Sequence, residues 1–264
     1  MNNSERLHWS FDYNYGAQKP HFTEQLVETF LRFYAKPETD RIGAEAAEHI
    51  YDIFPNYWRG YAIREHLQDN LSLGQAVIKR QQADDAGWHY TIRYTNTTSG
   101  EDLQLRFYTA NDLHRSLTDK WYVQAQNDCQ DSYSTFACEG QRVVDEIRLT
   151  FNHAEITVGL IQKDMPFTCN WALFDVIPAL SGAIQGSGEV VEMAVLEDLE
   201  KLRPMNRISF LESIQLHETQ LDGYYLYGEG LLPSYWWLDM GGNVAISANF
   251  FQTCVLREIV GGSA

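Results

Sequence analysis

The sequence lacks the segments that would insert it into a membrane or direct it for export. No run of apolar residues approaches the roughly 18 that a membrane-spanning helix needs. Residues 1–16 are polar and aromatic and contain no apolar core, so we expect no secretory signal there. These absences lead us to predict a cytoplasmic protein without a membrane partner.

Cysteine is scarce, and its spacing matches no known motif. The four cysteines, Cys129, Cys138, Cys169 and Cys254, form no C-x-x-C pair, which excludes zinc-ribbon and thioredoxin-like sites. Cys129 and Cys138 flank a short polar segment that a disulfide would close only in an exported protein. We therefore expect reduced thiols.

Motifs for cofactors, metals and covalent catalysis are also missing. Gly182, Gly186 and Gly188 match neither G-x-G-x-x-G nor a P-loop. Ser187 lies in G-S-G and not in the G-x-S-x-G nucleophile elbow. The eight histidines form no H-x-H or H-x-x-x-H pair. We accordingly expect no cofactor and no metal.

Positive charge is in deficit. The chain has 20 Lys and Arg against 36 Asp and Glu, a formal net charge of -16. Such a surface repels phosphate backbones and anionic headgroups, so we expect neither nucleic acid nor a membrane surface as a partner. The sequence does not indicate an oligomeric state, and a basic protein partner for the acidic face stays open.

Two helices are predicted before a long series of strands. Within Phe22–Tyr34 and within Ala44–Phe54, apolar residues recur every three or four positions, as on one face of a helix. Pro37 and Pro55 end the two segments. We expect both helices to face the core, in an N-terminal helical segment that covers residues 1–56.

From residue 57 the apolar period becomes two, which is typical of strands with one buried face. The predicted strands are 57–67, 73–81, 90–94, 103–107, 121–126, 147–151, 156–160, 167–174, 208–216, 224–227, 235–238 and 244–250. Many consecutive strands without helices between them indicate an antiparallel meander that closes to protect its edges. One insert at 182–204, flexible at first and then an acidic amphipathic helix, is either a lid or plug over one end or a surface crossover. The barrel thus spans residues 57–264.

Two positions carry a resemblance to a known superfamily. Trp58-Arg59-Gly60 opens the first predicted strand and Arg257 lies on the last. This arrangement resembles the calycins, the lipocalin-like barrels, although that family usually has G-x-W where this chain has W-x-G. The resemblance implies a mainly β, antiparallel lipocalin-like β-barrel in which Arg257 packs over Trp58 in a cation–π contact. An NTF2-like α+β cone is the alternative fold. The ending 250–259 is also similar to the lipocalin-like chromophore lyases.

Two carboxylates are the candidates for acid–base chemistry. Glu212 falls on the apolar face of the strand 208–216, and Asp175 follows Trp171 and Phe174 in an apolar segment. Burial would raise the pKa of either carboxyl group and suit it to general acid or base catalysis. A β-bulge that turns Glu212 outward is the alternative for that residue.

Aromatic residues are abundant and cluster late in the chain. With 15 Tyr, 13 Phe and 7 Trp, the composition suits both strands and a pocket for a flat ligand. The predicted ligand-binding residues are Trp88, Trp171, Tyr225, Tyr227, Trp236 and Trp237; ordinary core packing is the alternative. Together these features predict a barrel that binds a hydrophobic or aromatic small molecule. It is either a cofactor-independent lyase, isomerase or cyclase, or a non-catalytic carrier or chromophore-handling protein.

Overall fold

Alternating apolar residues build most of the strands. In the strand Trp88–Asn96, the side chains of Trp88, Tyr90, Ile92 and Tyr94 are buried, while the residues between them are more exposed. The computed structural model of the chain describes residues 24–37, 46–55, 72–83, 87–97, 99–129, 132–151, 154–160, 162, 164–228, 232–249 and 251–261.

These residues form two α-helices and 15 strands. They are α1 (Glu24–Phe33), β1 (Ala46–Pro55), β2 (Gly74–Gln82), β3 (Trp88–Asn96), β4 (Glu101–Thr109), β5 (Leu117–Cys129), β6 (Ser132–Val143), β7 (Glu146–Phe151), β8 (Ala154–Leu160), β9 (Phe167–Cys169), α2 (Leu173–Ser187), β10 (Val191–Glu197), β11 (Lys201–Leu216), β12 (Thr219–Tyr227), β13 (Ser234–Leu238), β14 (Val244–Ala248) and β15 (Gln252–Gly261).

The strands form one sheet in the order β8-β7-β6-β5-β4-β3-β2-β1-β15-β14-β13-β12-β11-β10-β9. Neighbours within it are antiparallel, except for the parallel pair β9 and β10. The sheet curls until its two arms meet, since β8 contacts β11 and Gly159 lies against the Leu202 side chain. The Trp121 indole also donates to the Leu199 carbonyl, at 2.9 Å, across the interior. The protein is therefore mainly β and barrel-like.

Helix α2 occupies the interior of this curled sheet. Its side chains are apolar on nearly every side, and Leu173, Phe174, Val176, Ile177, Leu180 and Ile184 are buried in the main core. Gly188 ends the helix in the left-handed region, at φ 67°, and donates its N–H to Ile184. The helix therefore fills much of the space that the strands enclose.

Helix α1 packs on the opposite face of the sheet. The Phe33 ring lies 4.8 Å from the Phe54 ring of β1, and Phe30 joins the same apolar cluster together with Trp237. The central strands β1, β13, β14 and β15 are thus covered on both faces. No helix in the described part of the chain is long and apolar enough to cross a bilayer.

The helix predicted over 22–34 is confirmed as α1, but the one predicted over Ala44–Phe54 is wrong. That segment contains β1, which pairs with β2 and β15. Tyr51 and Ile53 are buried on its inner face and Phe54 on its outer face. Because both faces are covered, apolar residues occur at odd and even positions, and the strand imitates the four-residue spacing of a helix.

The insert helix is also misplaced in the prediction. Glu189–Leu202 forms β10 and the start of β11, whereas the helix lies earlier, at Leu173–Ser187, where a strand over 167–174 was predicted. The exposed positions of α2, such as Ala179, Gly182 and Ala183, carry small residues and no charge, so its sequence shows no clear amphipathic period. The residues of the predicted insert, 182–204, are instead the end of α2, β10 and the start of β11. The predicted strand 57–67 lies outside the described residues, and so does Trp58, the predicted cation–π partner of Arg257. Arg257 itself is paired with Asp52 at 3.5 Å.

The two cysteines predicted to flank a loop lie instead on one hairpin. Cys129 of β5 is opposite Ser132, and Cys138 of β6 is opposite Val123. Six residues of strand, about 20 Å, separate the position of Ser132 from that of Cys138. Cys138, Cys169 and Cys254 are buried free thiols, and burial raises the pKa of each.

Candidate functional site

A group of polar side chains lies on the inner face of β1 to β4, where the rest of the wall is apolar. Arg80 of β2 is the register partner of Ala47 and of Tyr90, and His49 is the partner of Ile78. Cross-strand partners share one face of a sheet, and so do residues two apart. His49, Arg80 and Tyr90 therefore all point inward, towards α2.

An ion pair joins this wall to the interior helix. Asp175 of α2 forms a salt bridge with Arg80 through Oδ1, and the Tyr90 hydroxyl donates to Asp175 Oδ2 at 2.7 Å. The side chains of Arg80 and Asp175 are only 11% and 8% exposed. Both carboxylate oxygens of Asp175 are thus engaged, and the pair holds α2 against β2 and β3.

Three polar groups beside Arg80 are buried in their uncharged forms. Burial, helped by the nearby Arg80 charge, lowers the pKa of His49 to about 3. Burial raises the pKa of Tyr51 and brings that of Tyr90 to about 12. At neutral pH the imidazole is therefore neutral and both phenols keep their protons.

Several buried polar atoms in this region have no hydrogen-bond partner. Among the described residues, these atoms include His49 Nε2, the Tyr51 hydroxyl, Arg80 Nε and Arg115 Nε. An unpaired buried polar atom costs about 1–3 kcal/mol, and folded proteins keep few of them. We call His49, Tyr51, Arg80, Tyr90 and Asp175 the Arg80 cluster.

A surface cleft opens beside the Arg80 cluster, between α2 and the loop from β4 to β5. It has a volume of about 500 Å³ and is lined by Asn111, Asp112, Leu113, His114, Arg115 and Ala179. We call it the Arg115 cleft. The Arg115 side chain lines this cleft, and its Nε is buried.

The loop holds the Arg115 side chain in one place. The guanidinium lies over the Trp88 ring, 4.8 Å from its centroid, and Nη1 donates to Asn111 Oδ1 at 2.7 Å. Asn111 Oδ1 also accepts from the Trp88 indole at 3.0 Å. The backbone of Arg115 has φ 46°, and its carbonyl accepts from the Thr168 hydroxyl at 3.1 Å. A non-glycine residue in this left-handed region is strained, a feature that is common at functional sites.

The structure brings two of the predicted site residues together. Asp175 is buried as expected, but on a helix, and it pairs with Arg80, whose guanidinium lies 6.0 Å from the Trp88 ring centroid. The prediction of a buried Glu212 is wrong. The register of β11 shifts between Phe210 and Glu212, and this bulge leaves Glu212 exposed. The alternative of an outward-turning bulge is the one that the structure shows.

The remaining predicted aromatic residues do not share one cavity. Trp171 and Trp236 lie in the interior, on either side of Phe174, with ring centroids 6.3 and 5.0 Å from it. Tyr225 and Tyr227 stack on each other at 4.6 Å in a separate cluster, and Trp237 packs with α1. Strand alternation sends successive residues of β12 and β13 to opposite faces, so a run of aromatics in sequence divides between the two sides.

A second polar group, which the sequence analysis missed, lies at the turn between β10 and β11. Asp198 Oδ1 accepts from Asn170 Nδ2 and from the Trp171 indole, both at 3.0 Å. Burial raises the pKa of Asp198, and burial together with the Asp198 charge raises the pKa values of Glu101 and Glu200. In the described part of the chain, no group of three or more His, Cys, Asp or Glu is arranged to hold a metal ion.

Comparison with known proteins identifies the architecture and goes no further. The structure is similar to the crystal structure of a β-barrel-like protein of a domain of unknown function, DUF1849, from Brucella abortus. The TM-score is 0.53 and the identity 10%, and the match covers 83% of this chain and 99% of the other. This similarity supports a barrel-like fold but not specifically a calycin, a family whose lipocalin members have eight strands. No protein-family model matches the sequence, and no curated protein matches it.

Proposed function

We propose that this chain is a small-molecule-binding barrel protein that receives a hydrophobic or aromatic metabolite in the Arg115 cleft. The observation that carries the proposal is the Arg115 guanidinium, which lines the cleft and is held in place by Trp88 and Asn111. Small-molecule sites combine apolar walls with a few convergent polar groups. A ligand with a polar end would pair with the Arg115 guanidinium on the cleft wall.

The walls of the cleft suit an apolar ligand body. Leu113 is 59% exposed at its rim, Ala179 of α2 faces it, and Trp88 lies beneath Arg115. The volume of about 500 Å³ falls within the range typical of small-molecule pockets. A flat or aliphatic skeleton is expected to lie between Leu113 and Ala179, with its polar end towards Arg115.

The geometry favours a carrier over an enzyme that uses Asp175. A general acid or base must reach the substrate proton within hydrogen-bond distance. Both oxygens of Asp175 are already bound, one to Arg80 and one to Tyr90. We therefore assign Asp175 to anchoring α2. If the ligand is a conjugated molecule, the carrier becomes a chromophore-handling, lipocalin-like protein. The barrel-like architecture supports this form of the proposal.

One observation favours the enzymatic alternative, a cofactor-independent lyase, isomerase or cyclase. Asp198 is a buried carboxyl group with a raised pKa, next to the Trp171 indole. A raised pKa lets a carboxyl group keep its proton to a higher pH than usual, which suits it to acid–base chemistry. Asp198, rather than Glu212, is the residue to test for this alternative. The cytoplasmic location stays a prediction.

The first experiment incubates the purified protein with a metabolite extract and follows both by native mass spectrometry. A compound retained unchanged supports the carrier, whereas a compound converted to an isomer or to a product of simple loss supports the enzyme. Ala179→Phe fills the cleft, and Ala183→Phe, one turn later on exposed α2 surface, is the matched control. We expect retention to fall only in Ala179→Phe. Equal retention by both variants would contradict this location.

A further inference from the structure

Arg115 lines the cleft without an ion pair to any described residue, although the Asp112 carboxylate lines the same cleft. Arg80 is neutralised by Asp175, and His49 is uncharged because burial lowers its pKa to about 3. Arg115 is in none of the ion pairs among the described residues.

The carboxylate nearest in sequence is already occupied. Asp112 lines the same cleft, but its Oδ1 accepts the backbone N–H groups of His114 at 3.1 Å and of Ser116 at 3.0 Å. Asp112 thus shapes the loop and is not paired with Arg115. His114 is the other titratable side chain on the cleft wall.

The Arg115 guanidinium is fixed before any ligand binds. Trp88 covers one face, Asn111 holds Nη1, and Nε is buried without a hydrogen-bond partner. A guanidinium binds a carboxylate through two parallel N–H groups, and because Nε is buried, the edge left for a ligand is the one formed by Nη1 and Nη2. Since the side chain is already ordered, little conformational entropy is lost when a ligand binds.

We infer that the ligand of the Arg115 cleft is a monocarboxylic acid on an aromatic or aliphatic body, and that Arg115 binds its carboxylate. This inference rests on the proposed function and adds the chemical class of the ligand. One arginine beside the Asp112 carboxylate matches a monoanionic carboxylate better than a phosphate monoester, which carries a charge of about -1.5 to -2 at neutral pH. The body lies against Leu113 and Ala179, which offer no charge.

The test compares acids with their neutral isosteres by isothermal titration calorimetry. The probes are 2-naphthoate with 2-naphthamide and decanoate with decanamide, which differ only in the charged group. For the wild type we expect at least one acid to bind about tenfold or more tightly than its amide, the amount typical of a lost charge-assisted pair. Ala179→Phe should weaken the binding of that acid.

Variants of arginine locate the effect. In Arg115→Gln the acid and the amide should bind equally, whereas Arg115→Lys, which keeps the charge but not the fork, should keep part of the preference. The control is Arg142→Gln, since Arg142 also lies over an aromatic ring, 5.6 Å from the Phe167 centroid, but is not among the residues that line the cleft. It should leave the preference unchanged. Circular dichroism checks that each variant is folded.

The outcomes separate this inference from the proposed function. If the acid and its amide bind the wild type equally and Ala179→Phe weakens the binding of both, the inferred carboxylate ligand would be overturned. The cleft would then still stand as the binding site. If folded Arg115→Gln or Arg115→Lys keeps the full preference for acid over amide, the inference that Arg115 binds the carboxylate would be overturned. No binding by any of the four probes would contradict both the ligand class and the cleft.

Discussion

Replacing Asp175 by Asn tests whether the Arg80–Asp175 pair fastens α2 inside the barrel. Asparagine keeps an oxygen for the Tyr90 hydroxyl but leaves the Arg80 charge without a counter-charge. Removing one partner of a buried ion pair costs about 3–5 kcal/mol, against a typical total stability of about 5–15 kcal/mol. We expect a loss in this range, because the two side chains are only 11% and 8% exposed.

Urea unfolding, followed by circular dichroism, measures this loss. A change of about 4 kcal/mol shifts the midpoint by about 1–2 M at an m-value of about 2–3 kcal/mol/M. The control is Glu146→Gln, which breaks a surface pair with Arg148 whose side chains are 41% and 36% exposed. It should cost under about 1 kcal/mol. The double variant Arg80→Met/Asp175→Leu should recover most of the stability. A cost for Asp175→Asn equal to that of the control would refute the reasoning.

Three other predictions concern stability. The pKa of His49 falls from its ordinary value to about 3 on folding, so the stability that depends on its neutral form is complete above about pH 6.5 and is lost as the pH falls towards 3. His49→Leu should therefore show less acid destabilisation than the wild type between pH 7 and pH 4.5 in urea unfolding, and equal slopes would contradict this. Gly140→Ala places a Cβ atom against the Trp121 ring and should lower the free energy of unfolding by about 1–3 kcal/mol. Gly182→Ala, on open helix surface, should raise it by about 0.5–1 kcal/mol. Equal melting temperatures for the two variants would contradict the packing of Gly140 against Trp121. Glu212→Gln should change stability by less than about 0.5 kcal/mol, because the residue is exposed, and a larger change would mean that the carboxyl group has a partner.

The sequence predicts strands well where one face of the sheet meets the core and the other meets water. In β3 and β4 the alternation is complete, and the predicted strands 90–94 and 103–107 are confirmed. It fails at β1, which is covered on both faces, and at α2, which is buried along its first half and whose exposed positions include Ala179 and Gly182. In both places the sequence shows no regular alternation of apolar and polar residues, and secondary structure then depends on partners that are distant in sequence.

The candidate site is predictable only in part for a related reason. Asp175 and Trp88 stand out in the sequence as a carboxylate and an indole among apolar residues. Arg80 and Arg115 do not, because each looks like an ordinary surface arginine. Their positions follow from the register of β1 to β4 and from the fold of one loop. A sequence pattern does not contain that register, so the pairing of Arg80 with Asp175 becomes visible only in the structure.

The most direct test of the binding site is the ¹H–¹⁵N resonance of the Trp88 indole, assigned through a Trp88→Phe variant. This N–H donates to Asn111 Oδ1 at 3.0 Å, next to the Arg115 guanidinium. Titration with the compound that the protein retains from a metabolite extract should shift this resonance in a saturable way. The Trp237 resonance, from the cluster with α1, should stay in place. A Trp88 resonance that does not move while the Trp171 or Trp236 resonance shifts would contradict the Arg115 cleft as the binding site.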